Sequence, residues 1–174
     1  NPETQSFDGG TPYTAEEIVG KAERYKEYFG KDGGITLSGG EPLVQPEFAT
    51  EILKECKAKG IHTCLDTSGY RLDSKVKEVL KYTDLVLLDI KYTDNEKYLK
   101  YAGCDMSAPI NFLNYLEEQK IPVWIRQVII PELNDTKENM IKLKKITQKY
   151  SCIKKTELLP FRKICQTKYD TMGI

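Results

Sequence analysis

The sequence predicts an α/β fold with a parallel sheet, and two patterns support this prediction. Apolar runs alternate with helical patterns at about one pair per thirty residues, which is the rhythm of βαβ units. Five apolar runs also stop on a polar or charged residue where a strand would end, at 35–38, 63–65, 85–88, 123–125 and 156–160. Because parallel strands point the same way, their carboxyl ends meet at one mouth, where such folds bind ligands.

The helices between these strands are predicted from capping residues and apolar spacing. Thr14 and Glu17 form a capping box before the first helix, and Gly30 follows its end. Asp73 caps a later helix, and Asp135 with Glu138 opens the last one. The apolar stripes, in chain order, are Ile18, Ala22, Tyr25 and Phe29; Phe48, Ile52, Leu53 and Cys56; Val76, Val79 and Leu80; Ile110, Leu113 and Leu116; Met140, Leu143 and Ile146.

Length and charge favour one domain that spans residues 1–174 and binds neither nucleic acid nor membrane. The 26 basic and 26 acidic residues cancel, so the chain lacks the positive field that draws proteins to nucleic acid or anionic lipid. No apolar stretch approaches the roughly twenty residues of a membrane span, and no signal-peptide pattern opens the chain. We therefore expect a cytoplasmic protein. The five cysteines are odd in number and irregularly spaced, which fits neither a disulfide framework nor a metal set.

The alternation of side chains along each strand indicates which groups meet at the mouth. Asp66 shares a strand face with Cys64, Asp89 with Lys91, and Arg126 with Trp124. In a barrel these faces would turn inward. Burying such charges is costly unless they pair or hold a ligand. A structural ion-pair network is the alternative, but convergence on one rim favours a site. Trp124 is interpreted as a core residue, and His62 as structural.

The segment 38–42, Ser-Gly-Gly-Glu-Pro, is the most specific local motif. Its two glycines leave backbone groups bare for a ligand, and Glu41 adds an acceptor for a cationic group such as an amine. The alternative is a tight turn in which Glu41 favours a helix amino end.

Five segments in order, 36–42, 62–69, 85–91, 123–126 and 157–160, resemble the glycyl-radical-enzyme activating branch of the radical S-adenosylmethionine family. The resemblance runs from Asn1 to about Tyr169 and implies a partial (β/α)6 parallel barrel, here missing its first strand. The Cys-x-x-x-Cys-x-x-Cys loop with which that family holds a 4Fe-4S cluster is absent from the 174 residues. We therefore expect a truncated domain that is inactive as it stands.

The resemblance also implies an activity, cofactors and partners. Family members cleave S-adenosylmethionine reductively at the cluster, and the resulting radical takes hydrogen from a backbone glycine of a glycyl radical enzyme. The expected partner is pyruvate formate-lyase, and the expected electron donor is a flavodoxin or ferredoxin. By this resemblance, the residues that contact S-adenosylmethionine are Ser38, Gly39, Gly40 and Glu41 at the methionine amine, Asp66 and Lys91 along the methionyl and ribose part, Arg126 on the fifth strand and Arg162 at the adenine.

Charge at the mouth predicts a cation site, and two other functions stay open. Asp66 and Asp89 with a ligand carboxylate would place three negative charges together, and Thr67 adds a hydroxyl, so a monovalent or other hard cation is expected there. One alternative function is an aldolase-like enzyme in which Lys91 forms a Schiff base. The other is a non-catalytic domain that binds a peptide.

Overall fold

The structure is a computed structural model that describes residues 11–30 and 33–162. Helices and strands alternate along this part of the chain, as predicted. The strands are β1 (Gly34–Leu37), β2 (His62–Thr67), β3 (Leu85–Asp89), β4 (Val123–Ile129) and β5 (Ile153–Pro160). The helices are α1 (Ala15–Arg24), α2 (Pro46–Ala58), α3 (Ser74–Leu80), α4 (Asn95–Lys97), α5 (Ser107–Glu118) and α6 (Lys137–Thr147).

The five strands form one sheet in which every neighbouring pair is parallel, and this confirms the predicted fold class. Their order in the sheet is their order in the chain, β1-β2-β3-β4-β5. Parallel crossovers share one hand, so a sequential order places the connecting helices on one face of the sheet. The other face is left open, as in part of a barrel, and the carboxyl ends of all five strands lie along one rim.

The two faces of the sheet differ in burial because side chains alternate along each strand. The helix-covered face carries the core, in which Leu65, Leu88 and Ile125 are fully buried beneath the helices. The open face carries the polar set. Trp124 lies on this open face, with the Lys155 ammonium 4.5 Å from its ring centroid, so the prediction that Trp124 is a core residue was wrong.

Two predicted helix boundaries also need correction. The capping box of Thr14 and Glu17 is confirmed, but α1 ends at Arg24 and Tyr25 is 61% exposed, because the chain tightens there into a 3₁₀ turn. At α6 the cap is Thr136, not Asp135, since the Thr136 hydroxyl accepts the backbone N–H of the third helical residue.

Glu117 near the end of α5 ties that helix to the start of β5. Its carboxylate accepts the backbone N–H of Cys152 at 2.7 Å, together with the hydroxyl and the backbone N–H of Ser151 at 2.7 and 3.0 Å. The hydrogen bond from Cys152 is the largest cause, and together these bonds lower the pKa of Glu117 from 4.5 to about 2.

Within residues 11–30 and 33–162, no helix combines the length and apolar character needed to cross a membrane.

Candidate functional site

A polar cavity of about 340 Å³ lies where β1, β2 and β3 end. The structure brings eight of the ten predicted site residues into its wall; Arg126 stands next to it, and Arg162 is exposed beyond β5. Ser68 belongs to the wall as well, although the sequence interpretation did not include it. The lining residues are Ser38, Gly39, Gly40, Glu41, Asp66, Thr67, Ser68, Asp89 and Lys91.

The glycine pair supplies bare backbone at the edge of this cavity. Gly39 has φ +135°, a conformation that side chains with a Cβ rarely adopt. A Cβ built on either Gly39 or Gly40 would meet no atom within 4 Å, so open space lies over the backbone of both residues. A ligand can therefore approach their main-chain groups closely.

The Glu41 carboxylate is engaged within the chain. One oxygen accepts the Thr67 hydroxyl at 2.7 Å and the Leu43 N–H at 3.2 Å. The other accepts the Ser68 hydroxyl at 2.7 Å and the Ser68 N–H at 2.9 Å. Glu41 thus fastens the glycine turn to the loop after β2, and it also caps the 3₁₀ turn at Pro42–Val44. These four donors match the alternative in which Glu41 organises the turn.

Asp66 and Asp89, two of the three carboxylates at the mouth, each have a cationic partner. Asp66 accepts from Nη1 of Arg126 and from the Ser38 hydroxyl, each at 3.0 Å. Asp89 forms an ion pair with the Lys91 ammonium. Asp89 lies opposite Arg126 in the register of β3 and β4, but the Arg126 guanidinium reaches across β3 to Asp66 on β2, and Asp89 pairs with Lys91. These four side chains sum to zero formal charge, and Glu41 adds one further negative charge to the mouth.

One polar atom at this rim is left over. Nε of Arg126 is buried and has no hydrogen-bond partner among the described residues. Buried donors are nearly always satisfied, and an orphaned one calls for an explanation. A ligand that brings an acceptor to the rim would provide the missing partner of this nitrogen.

A second cavity, of about 570 Å³, continues from the polar one and shares Glu41, Ser68 and Lys91 with it. Four tyrosine rings give this cavity an aromatic wall. The sequence interpretation missed it because it assigned no structure to the segment after β3, which forms α4 and a π-helical turn, Tyr98–Ala102. The available signal was Asp94, whose side chain caps Lys97. The tyrosines are Tyr70, Tyr92, Tyr98 and Tyr101.

The remaining candidates lie elsewhere or are inert. His62 is exposed at the first residue of β2, at the end of the sheet opposite the mouth. Burial raises the pKa of the Cys56 thiol to about 11 and that of Cys152 to about 12. Within the described part of the chain, no three His, Cys, Asp or Glu side chains converge as a metal site would require. Cys165 lies outside the described residues.

The profile of the radical SAM superfamily matches residues 1–143. The chain belongs to this superfamily. It is 45% identical to a pyruvate formate-lyase-activating enzyme of Clostridium pasteurianum over 175 residues, covering all of this chain and 73% of the relative. It is 40% identical over 182 residues to the Staphylococcus aureus (strain USA300) protein of the same name, covering all of this chain and 72% of that protein.

A solved structure agrees with this family assignment. The crystal structure of a domain of pyruvate-formate lyase-activating enzyme from Bacteroides vulgatus superposes with a TM-score of 0.67 at 26% identity. The match covers 80% of this chain and 92% of the Bacteroides domain. The partial barrel and the branch of the family expected from the sequence are thereby confirmed.

The residues present fit one of the family's two cofactors. S-adenosylmethionine is a cation with an amine, a carboxylate and hydroxyl groups, and the mouth offers bare glycine backbone, three carboxylates, and the cations Lys91 and Arg126. The 4Fe-4S cluster needs three neighbouring thiolates, and these 174 residues contain no Cys-x-x-x-Cys-x-x-Cys loop. We therefore assign no electron-transfer step to residues of this chain.

Proposed function

We propose that this chain provides the S-adenosylmethionine-binding barrel of an enzyme that activates pyruvate formate-lyase. When bound and reductively cleaved, S-adenosylmethionine supplies a radical that removes hydrogen from a backbone glycine of that partner. The observation that carries the proposal is the polar mouth in a chain 45% identical to a pyruvate formate-lyase-activating enzyme. A flavodoxin or ferredoxin is the proposed electron donor, and the cytoplasm the proposed location.

In this proposal the residues of the chain bind and orient the ligand. The bare backbone of Gly39 and Gly40 accepts the methionine amine, and Ser38 and Glu41 hold that turn in shape. Asp66 and Lys91 lie along the methionyl and ribose part, and each already has a charged partner. Preorganised charges of this kind need little rearrangement when the ligand arrives.

Two residues extend the proposal beyond the cavity. Arg126 reaches the rim through its pair with Asp66, and its orphaned Nε is free to donate to the ligand. Arg162 is the proposed adenine contact, because a guanidinium plane can stack on a base. Its place just after the end of β5 is compatible with that role.

The cation site at Asp66, Thr67 and Asp89 stays a prediction. Its carboxylates are neutralised by Arg126 and Lys91, so a cation would be recruited only with the extra charge of the ligand carboxylate. Ligand affinity measured in sodium, potassium and magnesium salts at constant ionic strength tests the site. Equal affinity in every salt, including a bulky organic cation, would remove it.

The Schiff-base alternative is less well supported by the geometry. The Lys91 side chain is 41% exposed and pairs with Asp89, whereas Schiff-base lysines are activated by desolvation or by another cation. Borohydride trapping with a keto substrate would detect such an enzyme. A purely peptide-binding role is compatible with the site but leaves the glycine turn and the charged mouth unexplained.

The test of the function uses the chain preceded by a Cys-x-x-x-Cys-x-x-Cys loop and reconstituted with iron and sulfide without oxygen. Electron paramagnetic resonance should then detect a glycyl radical on pyruvate formate-lyase. The radical yield should collapse with Lys91→Ala and with Asp66→Ala, and should persist with His62→Ala, whose side chain lies at the other end of the sheet. No radical despite a complete cluster and normal ligand binding would refute the function. Normal yield in the first two variants would refute the site.

A further inference from the structure

The backbone around Lys91 is held by side chains, because β3 has already ended at Asp89. The Lys91 N–H donates to the hydroxyl of Tyr98 at 2.8 Å. The Lys91 carbonyl lies 3.5 Å from Nδ2 of Asn134, and the Ile90 carbonyl accepts from Nε2 of Gln127 at 3.1 Å. Backbone groups that leave a sheet need new partners. The Ile90 N–H still donates to the Arg126 carbonyl of β4, and side chains supply the partners of the other three groups.

Tyr98 is the partner of the Lys91 N–H and is itself rigidly placed. It is 2% exposed, and its ring packs edge-on against Tyr92 with 6.0 Å between the centroids. Burial raises the pKa of Tyr98, so its hydroxyl stays neutral and keeps its proton. Tyr98 also begins the π-helical turn, a rare element that is frequent at functional sites.

The Tyr98 hydroxyl connects the buried core to the mouth through the backbone of Lys91. The carbonyl groups at 90 and 91 are held from β4 and the loop after it, by Gln127 and Asn134, whereas the N–H of Lys91 is held by Tyr98. The side chain of Lys91 then extends into the polar cavity to its pair with Asp89. A shift of the Lys91 backbone would therefore move the ammonium.

We propose that Tyr98 is a positioning residue, whose hydroxyl fixes Lys91 in the orientation that S-adenosylmethionine requires. The inference rests on the proposed function for the ligand, but its first step, the contact between Tyr98 and Lys91, does not. Small displacements of a positioning group are costly, because binding and reaction depend on alignment within about 1 Å. Tyr98 does not itself touch the ligand in this proposal.

The test compares Tyr98→Phe with Tyr150→Phe, each of which removes one phenol hydroxyl and keeps the ring. Tyr150 donates to Oδ1 of Asn114 at 2.8 Å, in a half-buried position just before the start of β5 and away from the mouth. The probe is S-adenosylhomocysteine, and calorimetry on the folded chain measures its affinity. Tyr98→Phe should weaken binding about tenfold, because the released Lys91 backbone lets the ammonium leave its aligned position, and Tyr150→Phe should leave binding unchanged.

Amide hydrogen exchange at Lys91 provides a readout that needs no ligand, and its wild-type measurement needs no variant. The Lys91 amide of the wild-type chain should be protected, and Tyr98→Phe should speed its exchange at least tenfold while Tyr150→Phe does not. An unprotected Lys91 amide in the wild type would overturn the inference, as would equal affinity of the wild type and Tyr98→Phe. Failure of the wild type to bind S-adenosylhomocysteine would refute the proposed function. Amide exchange at Lys91 would still show whether Tyr98 holds the Lys91 N–H.

Discussion

The substitution Glu41→Gln tests whether the glycine turn is fastened by a carboxylate. Glu41 accepts four hydrogen bonds, two of them from the backbone N–H groups of Leu43 and Ser68, which cannot reverse direction. In glutamine the amide nitrogen must face one of these N–H groups, so that bond is lost and the others lose their charge. Hydrogen bonds to charged groups contribute about 1.5–3 kcal/mol each, so we expect destabilisation by about 2–3 kcal/mol.

Urea unfolding provides the assay, with Glu51→Gln as the matched control. Glu51 is exposed on α2, and exposed substitutions usually change stability by less than about 0.5 kcal/mol. The unfolding midpoint of Glu41→Gln should fall with an unchanged slope, which indicates a change in stability rather than in the denatured state. A midpoint equal to that of Glu51→Gln would refute the argument, because it would mean that the four bonds contribute nothing net.

Three further predictions concern the mouth and the acid response of the fold. Gly39→Ala should destabilise the chain by about 1–3 kcal/mol through its positive φ, whereas Gly40→Ala should be nearly neutral, and equal unfolding midpoints would contradict this. Asp66→Asn should lower affinity for S-adenosylhomocysteine in calorimetry about tenfold, and the exposed control Asp105→Asn should not. The stability that Glu117 contributes is complete above pH 4.5 and is lost as pH falls towards 2, so Glu117→Gln should flatten the profile of urea midpoints in that window; an unchanged slope would count against it.

The strands and the mouth could be predicted because both depend on local patterns. Apolar runs that stop at Asp66 and Asp89 place these charges at strand ends, and parallel pairing brings them near Arg126. The strand end expected at Arg126 was wrong, because β4 continues to Ile129. The glycine turn was equally visible, because adjacent glycines after a strand leave few other interpretations. The family resemblance added the ligand that such a mouth would hold.

What could not be predicted depends on contacts between distant segments. Three of the four bonds of Glu41 join residues 26 or 27 positions apart, and no local sequence pattern predicts them. Tyr98 belongs to a π-helical turn, which lacks the spacing of an ordinary helix. Trp124 was misplaced because an apolar residue in mid-strand usually faces a core, whereas this sheet has helices on one face and a charged surface on the other.

The most direct test of the central claim is a nuclear magnetic resonance titration of the ¹⁵N-labelled chain with S-adenosylmethionine. If the polar mouth is the binding site, amide shifts should change first at Gly39, Gly40, Ser68 and Lys91, and should saturate together. His62, at the opposite end of the sheet, should stay unchanged. Shifts that cluster around His62, or a spectrum that S-adenosylmethionine leaves unaltered, would contradict the account.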